Sequence, residues 1–75
     1  MAKHPNLSQL TSIEILRIKK LANFTEVQEQ IFDNLCKDRL DYDIMQRMCV
    51  SNRKYYDNKP IVYSKVSRLY PEMFS

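Results

Sequence analysis

Apolar residues recur three and four positions apart along most of the chain, and no run alternates with period two for long enough to form a strand. This pattern predicts an all-α protein, a small bundle of four to five helices. The first helix is expected to begin at Thr11 or Ser12 and to end at Ala22. Asn23 follows it and can adopt the left-handed conformation that commonly ends a helix, in place of the glycine that this chain lacks.

The predicted first helix is apolar on two sides. At about 100° per residue, Ile15, Ile18 and Ala22 share one face. Ile13 and Leu16 fall on a nearly opposite face. A helix that is apolar on both sides has to bury both, so either it crosses the domain or its second face contacts another chain.

The clearest helix of the sequence begins after Thr25. Thr25 and Gln28 have the spacing of a capping box, in which the side chain of each residue bonds the backbone N–H of the other. We expect this helix to end near Lys37 or Asp38. A continuous apolar stripe predicts its buried face, which comprises Phe24, Val27, Ile31, Phe32 and Leu35.

Two further helices are predicted on either side of a tight turn. Asp41 is expected to cap a short helix that ends at Met48, with Ile44 and Met48 facing inward. Ser51 is expected to cap the next helix, which leaves residues 49–51 as the turn.

Pro60 interrupts the last predicted helix, because proline donates no backbone hydrogen bond and disfavours the helical conformation at Lys59. One interpretation ends the helix before the proline and begins a separate last helix at Pro60. The other is a single kinked helix. In either case the apolar positions beyond the proline are Ile61, Val62, Val66 and Leu69.

The chain has 75 residues and contains no glycine. A phosphate-binding loop, a dinucleotide-binding fingerprint and a nucleophile elbow all require glycine, so none of these sites is expected. His4 has no neighbouring carboxylate or cysteine with which to form a catalytic or metal site. We therefore expect one domain over residues 1–75, with a flexible lead-in over 1–10, no enzymatic activity, no cofactor and no metal.

Charge is unevenly distributed along the chain. Residues 24–45 carry six acidic and two basic side chains, whereas residues 46–75 carry six basic and two acidic ones. A basic face on a small domain is typical of proteins that bind a polyanion. Cys36 and Cys49 lack the spacing of a zinc site or a disulfide framework, and no apolar run is long enough for a membrane span or signal peptide. The expected location is the cytoplasm, and no membrane partner is expected.

Two short helices joined by a tight turn, the second rich in cations, have the arrangement of a helix-turn-helix, here over residues 25–66. Asn58 departs from the apolar positions of the usual template, and Cys49 stands where glycine is usual. Tyr55 is expected to face inward. Asn and Arg side chains match base edges in the major groove, and Lys and Tyr reach phosphate. The residues expected to contact DNA are Ser51, Asn52, Arg53, Lys54, Tyr56 and Lys59.

The sequence over residues 48–59, with the helix over 25–36 and residues 40–44 ahead of it, resembles the ArpU/RinA-type phage transcription regulators. These regulators are similar in turn to region 4 of sigma factors. The resemblance implies a regulator encoded by a phage or prophage, which binds double-stranded DNA near promoters in a bacterial host cell. By position, it makes Ser51 the cap of the recognition helix and Lys59 the downstream basic residue, and the residues facing DNA are Arg53, Lys54 and Tyr56.

The alternative is a protein-interaction module. Ile13 and Leu16 on the second face of the first helix, with Tyr70 and Phe74 in the aromatic C-terminal segment, would then bind RNA polymerase or another host protein. The same two-faced helix also leaves a homodimer open.

Overall fold

The computed structural model describes residues 7–71, and this part of the chain forms four α-helices and no strand. A short 3-10 turn over Leu7–Gln9 precedes the helices. The all-α prediction is confirmed, and the number of helices lies at the lower end of the predicted range. The helices are α1 (Ser12–Leu21), α2 (Glu26–Cys36), α3 (Asp41–Met48) and α4 (Asn52–Leu69).

Two of the helices begin with a capping box. Thr25 Oγ1 accepts a hydrogen bond from the Gln28 N–H at 3.2 Å, and Gln28 Oε1 accepts one from the Thr25 N–H at 3.2 Å. The predicted box is therefore confirmed. Thr11 and Glu14 form the same reciprocal pair at the beginning of α1, at 3.2 and 2.9 Å. Local hydrogen bonds thus set where α1 and α2 begin.

Left-handed residues follow three of the helices. Asn23, Asp38 and Cys49 have φ angles of 55°, 58° and 55°. Asn23 therefore behaves as predicted. Cys49, which stands where a helix-turn-helix usually has glycine, adopts the backbone conformation that a glycine would supply there, with ψ at 42°. The tight turns of this chain form without glycine.

One hydrophobic cluster fills the centre of the described region, and α4 packs mainly against α2. The rings of Phe24 and Phe32 lie 5.1 Å apart at the edge of this cluster. Leu7 is buried, so it belongs to the core rather than to a flexible lead-in, and residues 1–6 of that lead-in lie outside the described residues. The buried hydrophobic residues are Leu7, Ile18, Ala22, Ile31, Phe32, Ile44, Tyr55, Val62 and Val66.

The prediction that Asp41 caps α3 is wrong. Leu40 occupies the N-cap position and makes no side-chain cap hydrogen bond, and Asp41 is the first residue of the helix. The Asp41 carboxylate instead accepts hydrogen bonds from the Tyr55 hydroxyl and the Lys59 ammonium group, both on α4. The carboxylate that the sequence pattern assigns to a local cap therefore contacts the neighbouring helix α4 instead.

The interpretation of Pro60 as the beginning of a separate helix is also wrong, because α4 runs through it as one helix. Pro60 cannot donate a hydrogen bond to the Tyr56 carbonyl, but the proline is exposed, so water can reach that region. Tyr55 and Val62, on either side of the proline, are both fully buried. Their burial in the same core holds the two halves of α4 together.

Candidate nucleic-acid interface

The N-terminal end of α4 presents a polar surface on a fixed support. Ser51 is the N-cap, and its Oγ accepts a hydrogen bond from the Lys54 N–H at 3.2 Å. Residues 51–54 are all exposed, whereas Tyr55 is fully buried, as its inward-facing register predicts. The exposed side chains of Asn52, Arg53 and Lys54 are therefore held close to the core by the residue that follows them.

Among the cations that form an ion pair in the described part of the chain, Arg53 is the most exposed, with 93% of its side chain accessible. Its Nε lies 4.0 Å from Asp57 Oδ2, one helical turn further along. An ion pair this long between two exposed side chains contributes little to stability. Arg53 can therefore exchange Asp57 for an external anion at small cost.

Tyr56 lies on the same end of α4 and is exposed. Its ring meets the buried ring of Tyr55 edge to face, with centroids 5.0 Å apart. This contact orients Tyr56 at the border between the core and the polar surface.

Lys59 is partly buried and pairs with a carboxylate on α3. Its ammonium group lies 2.8 Å from the Asp41 carboxylate and 6.0 Å from the centre of the Tyr55 ring. The structure therefore brings five of the six predicted DNA-contacting residues together at the exposed end of α4 and joins Lys59 to α3. The sequence pattern does not predict this partner, because it places Asp41 as a helix cap.

Contacts from α4 stabilise the ionised form of the Asp41 carboxyl group. Partial burial works to raise the pKa of its carboxyl group, but hydrogen bonds from Lys59 and Tyr55 outweigh burial, and the pKa lies below its ordinary value. Burial, reinforced by the hydrogen bond to Asp41, raises the pKa of the Tyr55 hydroxyl well above its ordinary value. The three side chains form the Asp41–Tyr55–Lys59 cluster, which joins the first turn of α3 to the first two turns of α4.

Asn58, the position that departs from the helix-turn-helix template, makes a polar contact between helices. Its Nδ2 donates to the Lys54 carbonyl at 2.8 Å, and its Oδ1 accepts from Gln28 Nε2 on α2 at 3.3 Å. Gln28 is the one buried polar residue of the described region, and its Oε1 also accepts from Lys65 Nζ at 2.7 Å. An apolar side chain at position 58 would leave the buried Gln28 amide without this partner. Gln28 also caps α2, and sequence reasoning recognised only that role.

The helices that flank the core differ in charge. α4 carries Asp57 as its one acidic residue, whereas α2 carries three acidic residues and no basic one. The first turn of α4 contains no acidic side chain, so nothing there neutralises the positive end of its helix dipole. The basic residues of α4 are Arg53, Lys54, Lys59, Lys65 and Arg68.

The residues predicted to bind a protein partner differ in exposure within residues 7–71. Ile13 and Leu16 are largely exposed on α1 while Ile18 is buried on the opposite side, so α1 does not cross the domain with both apolar faces buried. Tyr70 is partly buried and packs against the core. Phe74 lies outside the described residues.

Neither cysteine lies in a chemically reactive cluster. Burial, reinforced by nearby Asp33, raises the pKa of the Cys36 thiol to about 12, and Cys49 is exposed in the turn. Among the described residues no group of three or more His, Cys, Asp or Glu side chains could hold a metal ion, and no pocket is found. No helix in residues 7–71 combines the length and apolar character that crossing a membrane requires.

No family model, curated protein or solved structure matches this chain.

Proposed function

We propose that this protein is a small DNA-binding transcription regulator that places the first two turns of α4 in the major groove. The observation that carries the proposal is the exposed polar end of α4, where residues 51–54 all face solvent and the next residue, Tyr55, is fully buried. A helix that presents hydrogen-bonding side chains at its N-terminal end, on a fixed support, suits insertion into a groove about 12 Å wide.

Each exposed side chain has a role that fits its chemistry. Asn52 and Arg53 can make bidentate hydrogen bonds to adenine and guanine edges, and Lys54 and Tyr56 can reach phosphate oxygens. The backbone N–H groups of the first turn, capped by Ser51, add a weak site for one phosphate. Asp57 would be repelled by phosphate, and it can accept a hydrogen bond from a cytosine amino group.

We assign α3, the turn over residues 49–51 and α4 to a helix-turn-helix. The support is the short connection and the left-handed Cys49 within it, which lets the chain turn sharply between the two helices. The resemblance of residues 48–59 to ArpU/RinA-type regulators supports the same assignment and extends the proposal to a phage or prophage regulator acting near promoters.

Fluorescence anisotropy with labelled duplex DNA at several salt concentrations tests this proposal. The logarithm of the association constant is expected to fall linearly with the logarithm of the salt concentration, with a slope of about −3 for a protein that contacts three or four phosphates. The double variant Arg53→Ala, Lys54→Ala is expected to weaken binding and to reduce that slope by about one or two units.

Lys37→Ala is the matched control, because Lys37 is an exposed cation at the end of α2 and is not part of α4. It should leave the affinity and the salt slope close to those of the unchanged protein. Absence of duplex binding at about 50 mM salt, where phosphate contacts are strongest, would refute the proposal. An equal loss of affinity in the Lys37→Ala variant would show general charge attraction rather than an interface on α4.

A further inference from the structure

The outward face of α1 is both apolar and basic. Ile13, Leu16 and Leu21 leave 72%, 66% and 59% of their surface exposed. Arg17 and Lys20 lie among them, are exposed, and form no ion pair within residues 7–71. We define these five residues as the outer α1 face. Large apolar side chains grouped in this way commonly mark an interaction surface.

The opposite side of α1 fixes the direction of this face. Ile18 is fully buried in the core, and Lys19 Nζ lies 3.1 Å from Asp33 Oδ1 on α2. The capping box of Thr11 and Glu14 holds the beginning of the helix. Because α1 is fixed at these points, it cannot turn its exposed apolar residues into the domain.

We propose that the outer α1 face binds an acidic amphipathic segment of another protein. Apolar side chains of the partner would cover Ile13, Leu16 and Leu21. Carboxylates of the partner would pair with Arg17 and Lys20, which form no ion pair within the described residues. This complementarity of charge defines the partner chemically, and the proposal does not depend on DNA binding by α4.

A second copy of the chain is a poorer occupant. A symmetric contact between two outer α1 faces would bring Arg17 and Lys20 of one copy close to the same residues of the other. Like charges placed together in an interface cost free energy rather than contributing it. The face therefore favours a partner of opposite charge over itself.

A membrane surface is also a poorer occupant. Around the axis of α1, Arg17 and Lys20 fall within about 40° of Ile13, so the cations interrupt the apolar stripe instead of flanking it. Insertion of the stripe among acyl chains would draw both cations toward the hydrocarbon, where charge is unfavourable. A protein partner can place a carboxylate opposite each cation.

The test is a selection from a displayed library of helical peptides with randomised surface positions, using the full chain as target. The selected peptides are expected to combine Asp or Glu with Leu, Ile or Phe at helical spacing. A synthetic peptide from that pool, titrated by fluorescence anisotropy, should lose about tenfold or more in affinity for Leu16→Asp and for the double variant Arg17→Glu, Lys20→Glu. The same peptide with Lys in place of its acidic residues should bind the double variant better than the unchanged protein.

Leu40→Asp is the matched control, since Leu40 is 76% exposed before α3 and lies outside the outer α1 face. It should leave peptide affinity unchanged, and all these variants should keep the melting temperature because every substituted side chain is exposed. Selection of neutral or basic peptides, or binding that ignores the α1 substitutions, would overturn the proposal.

Three further outcomes would assign the face to another occupant and overturn the proposal. One is a dimer in sedimentation that Leu16→Asp dissociates. Another is binding to phosphatidylglycerol vesicles that the double charge variant abolishes, without any selected peptide competing. The third is a loss of duplex DNA affinity in the double charge variant as large as its loss of peptide affinity.

Discussion

The two helices that pack most closely together, α2 and α4, are stabilised in different ways. α2 has a reciprocal capping box, Glu26 and Glu29 in its first turn, and no proline. α4 has a single cap hydrogen bond at Ser51, no acidic residue in its first turn, and Pro60 inside it. α4 is nevertheless the longer helix, with 18 residues against 11. Local signals are enough to explain α2, whereas α4 depends on buried contacts before and after its proline.

The same two helices differ in charge, since α2 carries three acidic residues and no basic one, whereas α4 carries five basic residues and one acidic one. In the proposed DNA binding, the basic residues of α4 would attract the polyanion before contact. The dependence of α4 on tertiary contacts therefore concerns the same helix that carries the proposed DNA interface. Substitutions that weaken those contacts are the most direct way to test the contrast between α2 and α4.

Tyr55→Ala is expected to have the largest effect. Tyr55 is fully buried, and removing a buried aromatic ring lowers the free energy of unfolding by about 3–4 kcal/mol, which is close to the whole stability of a domain this small. Urea denaturation followed by circular dichroism measures the change.

Two neighbouring variants serve as controls for Tyr55→Ala. Tyr55→Phe keeps the ring and removes only the hydrogen bond to Asp41, for an expected loss of about 1 kcal/mol. Tyr56→Ala, at an exposed position, should cost less than about 1 kcal/mol. An unchanged melting temperature for Tyr55→Ala would contradict the register of α4.

Pro60→Ala is expected to stabilise α4, because it removes the proline that distinguishes this helix from α2. Alanine restores a backbone donor for the Tyr56 carbonyl and has a far higher helix propensity, while the more flexible unfolded chain offsets part of the gain. The net expectation is an increase of about 1–2 kcal/mol in the free energy of unfolding, measured by urea denaturation.

Arg68→Ala is the control for Pro60→Ala, because Arg68 is an exposed residue of the same helix. It should change stability by less than about 0.5 kcal/mol. A Pro60→Ala variant that is no more stable than the original would contradict the view that the proline weakens α4.

The smallest expected effect is the pH dependence that comes from Asp41. Its folded pKa lies below the ordinary value of 3.8, so its contribution to stability is present above that value and is lost as the pH falls through the folded pKa. The contribution is less than about 1 kcal/mol because solvent screens a partly exposed carboxylate. Asp41→Asn should reduce the loss of stability between neutral and strongly acidic pH, measured by thermal denaturation at a series of pH values.

Asp43→Asn makes the same change of charge two residues away, where the carboxylate pairs with Arg47 on the exposed side of α3. Its effect on stability at neutral pH should be smaller than that of Asp41→Asn. A larger effect for Asp43→Asn would contradict the role of the Asp41–Tyr55–Lys59 cluster in joining α3 to α4.

Features that depend on neighbouring residues could be predicted from the sequence. The box of Thr25 and Gln28, the left-handed Asn23 and the inward register of Tyr55 are all decided within one or two helical turns. The two-sided character of α1 is another example, since it follows from helical periodicity alone.

Features that depend on distant residues could not be predicted. Asp41 does not cap α3, and its carboxylate instead contacts residues 14 and 18 positions further along the chain. Asn58 gained its partner Gln28 from 30 residues earlier. The Lys59 ammonium group pairs with the Asp41 carboxylate on α3. In each case a polar group has both a local and a distant partner available. Only the packing of α3 and α2 against α4 decides which partner it contacts.

The turns at Asn23, Asp38 and Cys49 have a consequence for the unfolded chain. A left-handed conformation costs a residue with a side chain on the order of 1 kcal/mol, least for Asn and Asp. A chain without glycine also has fewer backbone conformations when unfolded, so it loses less entropy when it folds. The free energy that the left-handed turns cost is thus offset by the smaller conformational entropy that this chain loses when it folds.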